Sequence, residues 1–123
     1  MISVDSYGWI EMFTNGPKSA AYRKIIDSTT DDEIVTSTIT LYEVYRKLKA
    51  ARGEDIALER LASLGRTKVI PVDMTLSTEA ADFSLDNGLH LADAIIYATA
   101  RQWGAKLYTS DEHLRGLVGV TYI

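Results

Sequence analysis

The sequence predicts a single α/β domain built on a parallel sheet with helices on both faces. Short apolar or β-branched runs alternate with longer segments of helical periodicity, the pattern of strands joined by crossover helices. A chain of 123 residues has the size of one compact core. No repeat, linker or low-complexity tract interrupts it.

Taken in order, strand signals fall at 2–4, 34–36, 68–70, 105–108 and 118–122, which gives a sheet of four to five strands. A first helix starts near Tyr7, behind Asp5, and further helical patterns cover 18–28, 41–51, 55–64, 76–85 and 90–103. Asn15-Gly16-Pro17, Gly53, Gly65 and Asn87-Gly88 separate them, residue types that end helices by losing a donor or by accepting turn conformations. Because parallel strands need such crossovers, both faces of the sheet should be covered.

The chain has no cysteine, which excludes disulfides, thiolate metal sites and cysteine nucleophiles and fits a reducing compartment. Residues 1–10 carry no basic leader, and no window approaches the roughly 18 apolar residues of a membrane span, so a cytoplasmic protein without a membrane partner is expected. Thirteen Lys and Arg against seventeen Asp and Glu leave a net charge of −4, which argues against generic nucleic-acid binding. If four carboxylates surround metal ions, however, the remainder is formally neutral, and a locally basic rim could still hold phosphates.

In parallel sheets ligands sit beyond the carboxyl ends of the strands, and four acids fall at that edge. Asp5 follows the first strand and Asp111 follows the run Lys106 to Ser110; each can equally cap the helix or turn behind it. Glu43 closes Thr40-Leu41-Tyr42-Glu43, a capping-box pattern in the first turn of its helix. It lies opposite the Leu41, Tyr45 and Leu48 stripe, so periodicity alone makes it solvated. Asp93 is the informative one. Its segment, His90 to Ala100, is apolar on nearly every face and so expected to be buried, with no Lys or Arg within four residues either side. A buried carboxylate without a partner costs several kcal/mol or takes up a proton, and a metal ion is the economical compensation. Its helix must end where the strand at Ala105 begins, which places Asp93 at the carboxyl edge with the others.

Val4-Asp5-Ser6 followed by Trp9-Ile10-Glu11, then Thr40 to Val44, then Leu91-Ala92-Asp93-Ala94 and on to Ala100, then Tyr108-Thr109-Ser110-Asp111 strongly resembles PIN domains. The likeness runs in order along essentially the whole chain. The size resembles VapC toxins, the ribonuclease halves of VapBC toxin–antitoxin pairs. The resemblance implies a Rossmann-like parallel sheet and Mg²⁺- or Mn²⁺-dependent cleavage of an RNA substrate. It also implies homodimers, inhibition by a VapB-type antitoxin, and an acidic cluster of Asp5, Glu43, Asp93 and Asp111 that holds metal and carries catalysis. Leu114 stands where many members place a hydrophobic or aromatic residue. The runner-up is a non-catalytic PIN-like module that binds RNA or protein, which the presence of all four acids disfavours.

Hard divalent cations prefer oxygen, and Mg²⁺ takes only one or two carboxylates, so four acids can serve two ions or one ion and an oriented water. A two-metal scheme gives in-line hydrolysis to a 5′-phosphate. Ser6, Thr109 and Ser110 can orient water or phosphate, or simply bond within turns. His90 and His113 fall short of the three ligands of a zinc site, leaving surface or capping roles. Arg46, Lys47, Lys49 and Arg52 can steer RNA or form a solvated face. Tyr7, Trp9, Tyr42 and Tyr45 can stack bases or serve the core or a dimer contact. Two other classes are excluded. A haloacid-dehalogenase-type phosphohydrolase needs a second Asp where Tyr7 stands, and a receiver domain needs paired acids and a late Lys that Ser3-Val4-Asp5 and Thr109-Ser110-Asp111 do not supply.

Overall fold

The computed structural model describes residues 1–123. Five strands, β1 (Ile2–Val4), β2 (Val35–Ser37), β3 (Lys68–Ile70), β4 (Lys106–Thr109) and β5 (Val120–Tyr122), are interleaved with six helices. These are α1 (Ser6–Thr14), α2 (Ser19–Asp27), α3 (Thr38–Arg52), α4 (Glu54–Gly65), α5 (Met74–Asn87) and α6 (Leu91–Gln102). A 3₁₀ turn at Asp31–Glu33, closed by a capping box from Thr30, precedes β2.

Every strand pairing is parallel: β1 with β4, β4 with β5, and β2 with β3. The three-stranded and two-stranded parts meet through one parallel bridge, Ile2 with Ile34, so the strands run β3-β2-β1-β4-β5. From β1 the chain moves outward to β2 and β3, then crosses back to β4 and β5 on the other side. The switch in direction therefore lies between β1 and β4, where parallel sheets open a crevice at their carboxyl ends. Val4 pairs with Tyr108 there, and Asp5 and Thr109 are the next residues on each strand.

Side chains alternate across a strand, and the apolar residues divide accordingly. Val4 and Ile34 join Trp9, Tyr22, Val44, Leu48, Ala57 and Leu64 in a cluster under α1 to α4. Val35 and Leu107, one residue out of phase with Ile34 and Tyr108, join Leu76, Ala80 and the buried face of α6 on the opposite side. Both faces are thus covered, four helices on one and two on the other. Leu48, Leu64, Leu76 and Leu107 are completely buried, and truncating any of them to Ala would cost about 2–5 kcal/mol.

All five expected strands form, each displaced by two residues or fewer. The differences at helix starts have local causes. The 41–51 pattern begins three residues earlier because Ser37, at the end of β2, caps α3 by accepting from the Ile39 N–H at 3.2 Å. Likewise Asp73 starts α5 by accepting from the Leu76 N–H at 2.8 Å, ahead of the expected residue 76. Gly88, in the left-handed region at φ 66°, ends that helix. No helix is long and apolar enough to cross a membrane.

Candidate active site

Asp5 is almost fully buried where β1 becomes α1. One carboxylate oxygen accepts from the Gly8 N–H at 2.8 Å, the capping role expected of it. The other accepts from the Thr109 hydroxyl at the end of β4. Burial raises its pKa above 3.8 against the opposing pull of those hydrogen bonds. Thr109 is itself fully buried, and its Oγ also accepts from the Asp111 N–H at 3.0 Å. One hydroxyl therefore ties the acid after β1 to the acid after β4.

Asp111 accepts from the His113 N–H and faces His113 Nδ1, both at 2.9 Å. His113 packs edge-on against His90, ring centroids 5.6 Å apart. Burial alone would raise the Asp111 pKa, but the His113 N–H, the neighbouring Asp93 carboxyl and the His113 ring outweigh it and hold it low. Glu43 accepts from the Ser6 hydroxyl at 2.5 Å, joining α3 to the first residue of α1.

Asp93 sits in the first turn of α6, half-buried rather than buried. The buried residues of that helix start at Ala94, and Asp93, one residue earlier, opens onto the cleft. Burial, the adjacent Asp111 carboxyl, and the charges of Glu43 and Asp5 push its pKa from 3.8 up to about 7.

All four acids line one open cleft of about 460 Å³, together with Tyr7, Ser110 and a single basic residue, Lys18. Asp5, Glu43 and Asp93 have no cationic partner, and Asp111 has only His113. No three of the side chains stand close enough to grip one ion directly. The donor set nevertheless suits Mg²⁺ or Mn²⁺: it is all oxygen, it carries uncompensated negative charge, and the cleft has room for an ion that keeps several waters and takes one or two carboxylates.

Two local readings need correction. The Thr40 to Glu43 capping box does not form, because α3 already begins at Thr38 and Glu43 lies in its second turn; its carboxylate meets Ser6 instead. Ser6 and Thr109 bond to site carboxylates rather than only within their own turns. Of the cations on α3, Lys49 pairs with Glu54 at the far end of the helix, at 3.6 Å. Trp9 belongs to the core, stacked on Phe13 at 5.8 Å, while Tyr42 is exposed.

Sequence reasoning missed Lys18 and Tyr22. Tyr22 is fully buried behind the site and its hydroxyl bonds to Ser110 at 2.7 Å. Its ring packs so close to α1 that a Cβ on Gly8 would come within 2.3 Å of it. A glycine inside the first turn of a helix was the available signal, since such a residue costs stability unless something packs closely over it.

Residues 2–119 match the family model for the PIN domain, and the chain belongs to that family. No curated protein matches it by sequence. Its fold is similar to a toxin–antitoxin complex from Klebsiella pneumoniae, at TM-score 0.84 and 22% identity over 98% of this chain and 96% of that one. A VapC toxin of Mycobacterium tuberculosis that cleaves the sarcin–ricin loop superimposes at TM-score 0.79 with 19% identity, covering 98% of each chain. DNA-bound VapBC from Salmonella typhimurium gives TM-score 0.74 at 15% identity, over 100% of this chain and 98% of that one. At these identities the likeness concerns the fold.

Proposed function

We propose that this PIN domain is a divalent-metal-dependent ribonuclease, the toxin of a type II toxin–antitoxin pair, with Asp5, Glu43, Asp93 and Asp111 as its metal-holding and catalytic acids. The supporting observation is that all four acids line one cleft at the switch point of the sheet, three of them without a cationic partner. Capping explains one oxygen of Asp5 and the turn at Asp111, but it gives no reason to gather four carboxylates in one cleft against their mutual repulsion, an arrangement that suits a site completed by cations. Bound Mg²⁺ or Mn²⁺ would activate a water and neutralise charge on the phosphate and the leaving 3′ oxygen.

The protein's own contribution is placement. Thr109 and the Gly8 N–H lock both oxygens of Asp5, and the Thr109 hydroxyl fixes the start of the Asp111 turn. Ser6 holds the Glu43 carboxylate. Burial and the neighbouring carboxyls favour the protonated form of Asp93, a proton that a metal ion would have to displace, so loading should improve as pH rises through about 7. Water attacks the phosphorus, the bond to the 3′ oxygen breaks, and the products are a 5′-phosphate and a 3′-hydroxyl.

Toxin–antitoxin complexes among the structures of similar fold support an antitoxin partner of the VapB type. An Arg or Lys from such a partner would pair with the unpaired carboxylates, displacing metal and excluding RNA. A homodimer is supported by a second, largely apolar groove of about 440 Å³ between α5 and α6, flanked by the exposed Leu85 and Leu91. Cytoplasmic residence is consistent with a chain that has no cysteine. Purified protein should cleave single-stranded RNA with Mg²⁺ or Mn²⁺, stop in EDTA and recover when metal is returned. Cleavage that persists after rigorous chelation, or none with any divalent ion, would overturn the reading.

A further inference from the structure

The cleft holds one basic residue among its acids, and the way that residue is placed points to a substrate contact. Lys18 stands at the N-cap position of α2. Its backbone is fixed from α1: the Glu11 carboxylate accepts from the Lys18 N–H at 2.8 Å and lies where any side chain on Gly16 would go, 2.3 Å from a Cβ built there. Gly16 has no positive φ, and a side chain there would displace the Glu11 carboxylate from the Lys18 N–H.

The side chain does not neutralise the carboxylates. Its Nζ donates to the main-chain oxygen of Ile123, the last residue, at 2.9 Å and lies 5.7 Å from the centre of the Tyr122 ring. Arg115, on the turn behind Asp111, lies over the same ring at 4.6 Å. The Tyr122 hydroxyl in turn bonds to Glu112 at 2.8 Å, which keeps the ring in place. Two cations from distant parts of the chain are thus gathered around one aromatic ring; Lys18 lines the acidic cleft, and Arg115 meets Glu112 only in an exposed pair at 3.5 Å, which a phosphate can displace at little cost. A metal-loaded acidic centre attracts only the phosphate next to it, so the flanking phosphates of a strand need cations of this kind.

We propose that Lys18 and Arg115, held together by Tyr122, form a cationic lip that binds the phosphate backbone of the single-stranded RNA entering the cleft, with Lys18 making the contact nearest the carboxylates. Glu11 and Gly16 act as positioning residues for Lys18. The proposal rests on the reading that RNA occupies this cleft.

The test is binding rather than cleavage. A fluorescein-labelled single-stranded RNA of mixed sequence is titrated with the full chain in Ca²⁺ in place of Mg²⁺, by anisotropy, over a range of KCl concentrations. Each lost phosphate contact on a single strand lowers the slope of log Kd against log salt by about 0.7. Lys18→Gln and Arg115→Gln should each produce that fall and weaken binding at low salt, the double variant should lose about twice as much, and Lys18→Arg should restore the slope. Lys24→Gln, exposed on α2, should leave the slope unchanged. If the parent binds RNA but Lys18→Gln keeps its slope, or Lys24→Gln loses as much, the lip is wrong while the ribonuclease reading stands. If the parent binds no RNA at any salt concentration, both fall.

Discussion

Replacing Asp93 with Asn should stabilise the metal-free protein while abolishing its activity, and the size of the effect follows from the site. Burial, together with the neighbouring Asp111, Glu43 and Asp5, pushes the Asp93 pKa from 3.8 up to about 7. At about 1.4 kcal/mol per pKa unit the difference is about 4 kcal/mol for a dry site, and screening in this half-open cleft reduces it to about 2 kcal/mol. The folded protein holds this proton more tightly than the unfolded chain does. Its stabilising contribution is therefore complete below about pH 4 and is lost as pH rises through about 7. Asn cannot ionise and escapes the loss. In EDTA at pH 8 the Asp93→Asn protein should be more stable by about 2 kcal/mol, or about 5–10 °C in Tm for a domain of this size, and the advantage should shrink towards zero near pH 4. Thermal melts followed by circular dichroism at pH 4, 6 and 8 measure this, alongside RNA cleavage with Mg²⁺. Equal stability at pH 8, or a variant that has simply unfolded, would refute the account of Asp93.

Other substitutions probe the scaffold of the site. Thr109→Val keeps the shape but removes the hydroxyl between Asp5 and Asp111, so it should cost about 1–3 kcal/mol in urea denaturation and reduce cleavage, whereas Thr109→Ser should retain most of both. Gly8→Ala drives a methyl into the Tyr22 ring and should cost about 1–3 kcal/mol; combined with Tyr22→Leu the losses should be less than additive in a double-mutant cycle. Ser6→Ala frees Glu43 and should slow cleavage by less than Glu43→Gln does, with Tm shifted only slightly. Inhibition by a cognate antitoxin should weaken as Mg²⁺ concentration rises and should be lost when the antitoxin's basic residues at the cleft become Ala; inhibition indifferent to both would remove the competition mechanism.

The strands were legible because each is a short β-branched or apolar run bounded by turn residues; that Ile34 and Val35 serve cores on opposite faces is visible only in the structure. Helix starts were less so: Thr38 and Thr40 look extended by propensity, and only the Ser37 cap in the structure shows that α3 has already begun. At the site, Asp5 and Asp111 could be placed from strand ends alone, and Asp93 from the run of apolar residues behind it. Its depth could not, because an apolar helix gives no sign of where the cleft opens over its first turn. Glu43 was ambiguous for a related reason, since its partner Ser6 lies 37 residues away. Lys18 was invisible: what delivers it to the acids is the contact of Glu11 with Gly16, and no local pattern records that.

The central claim is that four carboxylates on four different elements act as one metal-holding unit. Mn²⁺ titration followed by electron paramagnetic resonance tests it without requiring a substrate. The wild-type protein should bind Mn²⁺ more tightly at pH 8 than at pH 6, as Asp93 gives up its proton. Asp5→Asn, Glu43→Gln, Asp93→Asn and Asp111→Asn should each weaken binding, and Mg²⁺ should compete for the same site. Failure of the wild-type protein to bind Mn²⁺, or binding that none of the four substitutions alters, would contradict the account.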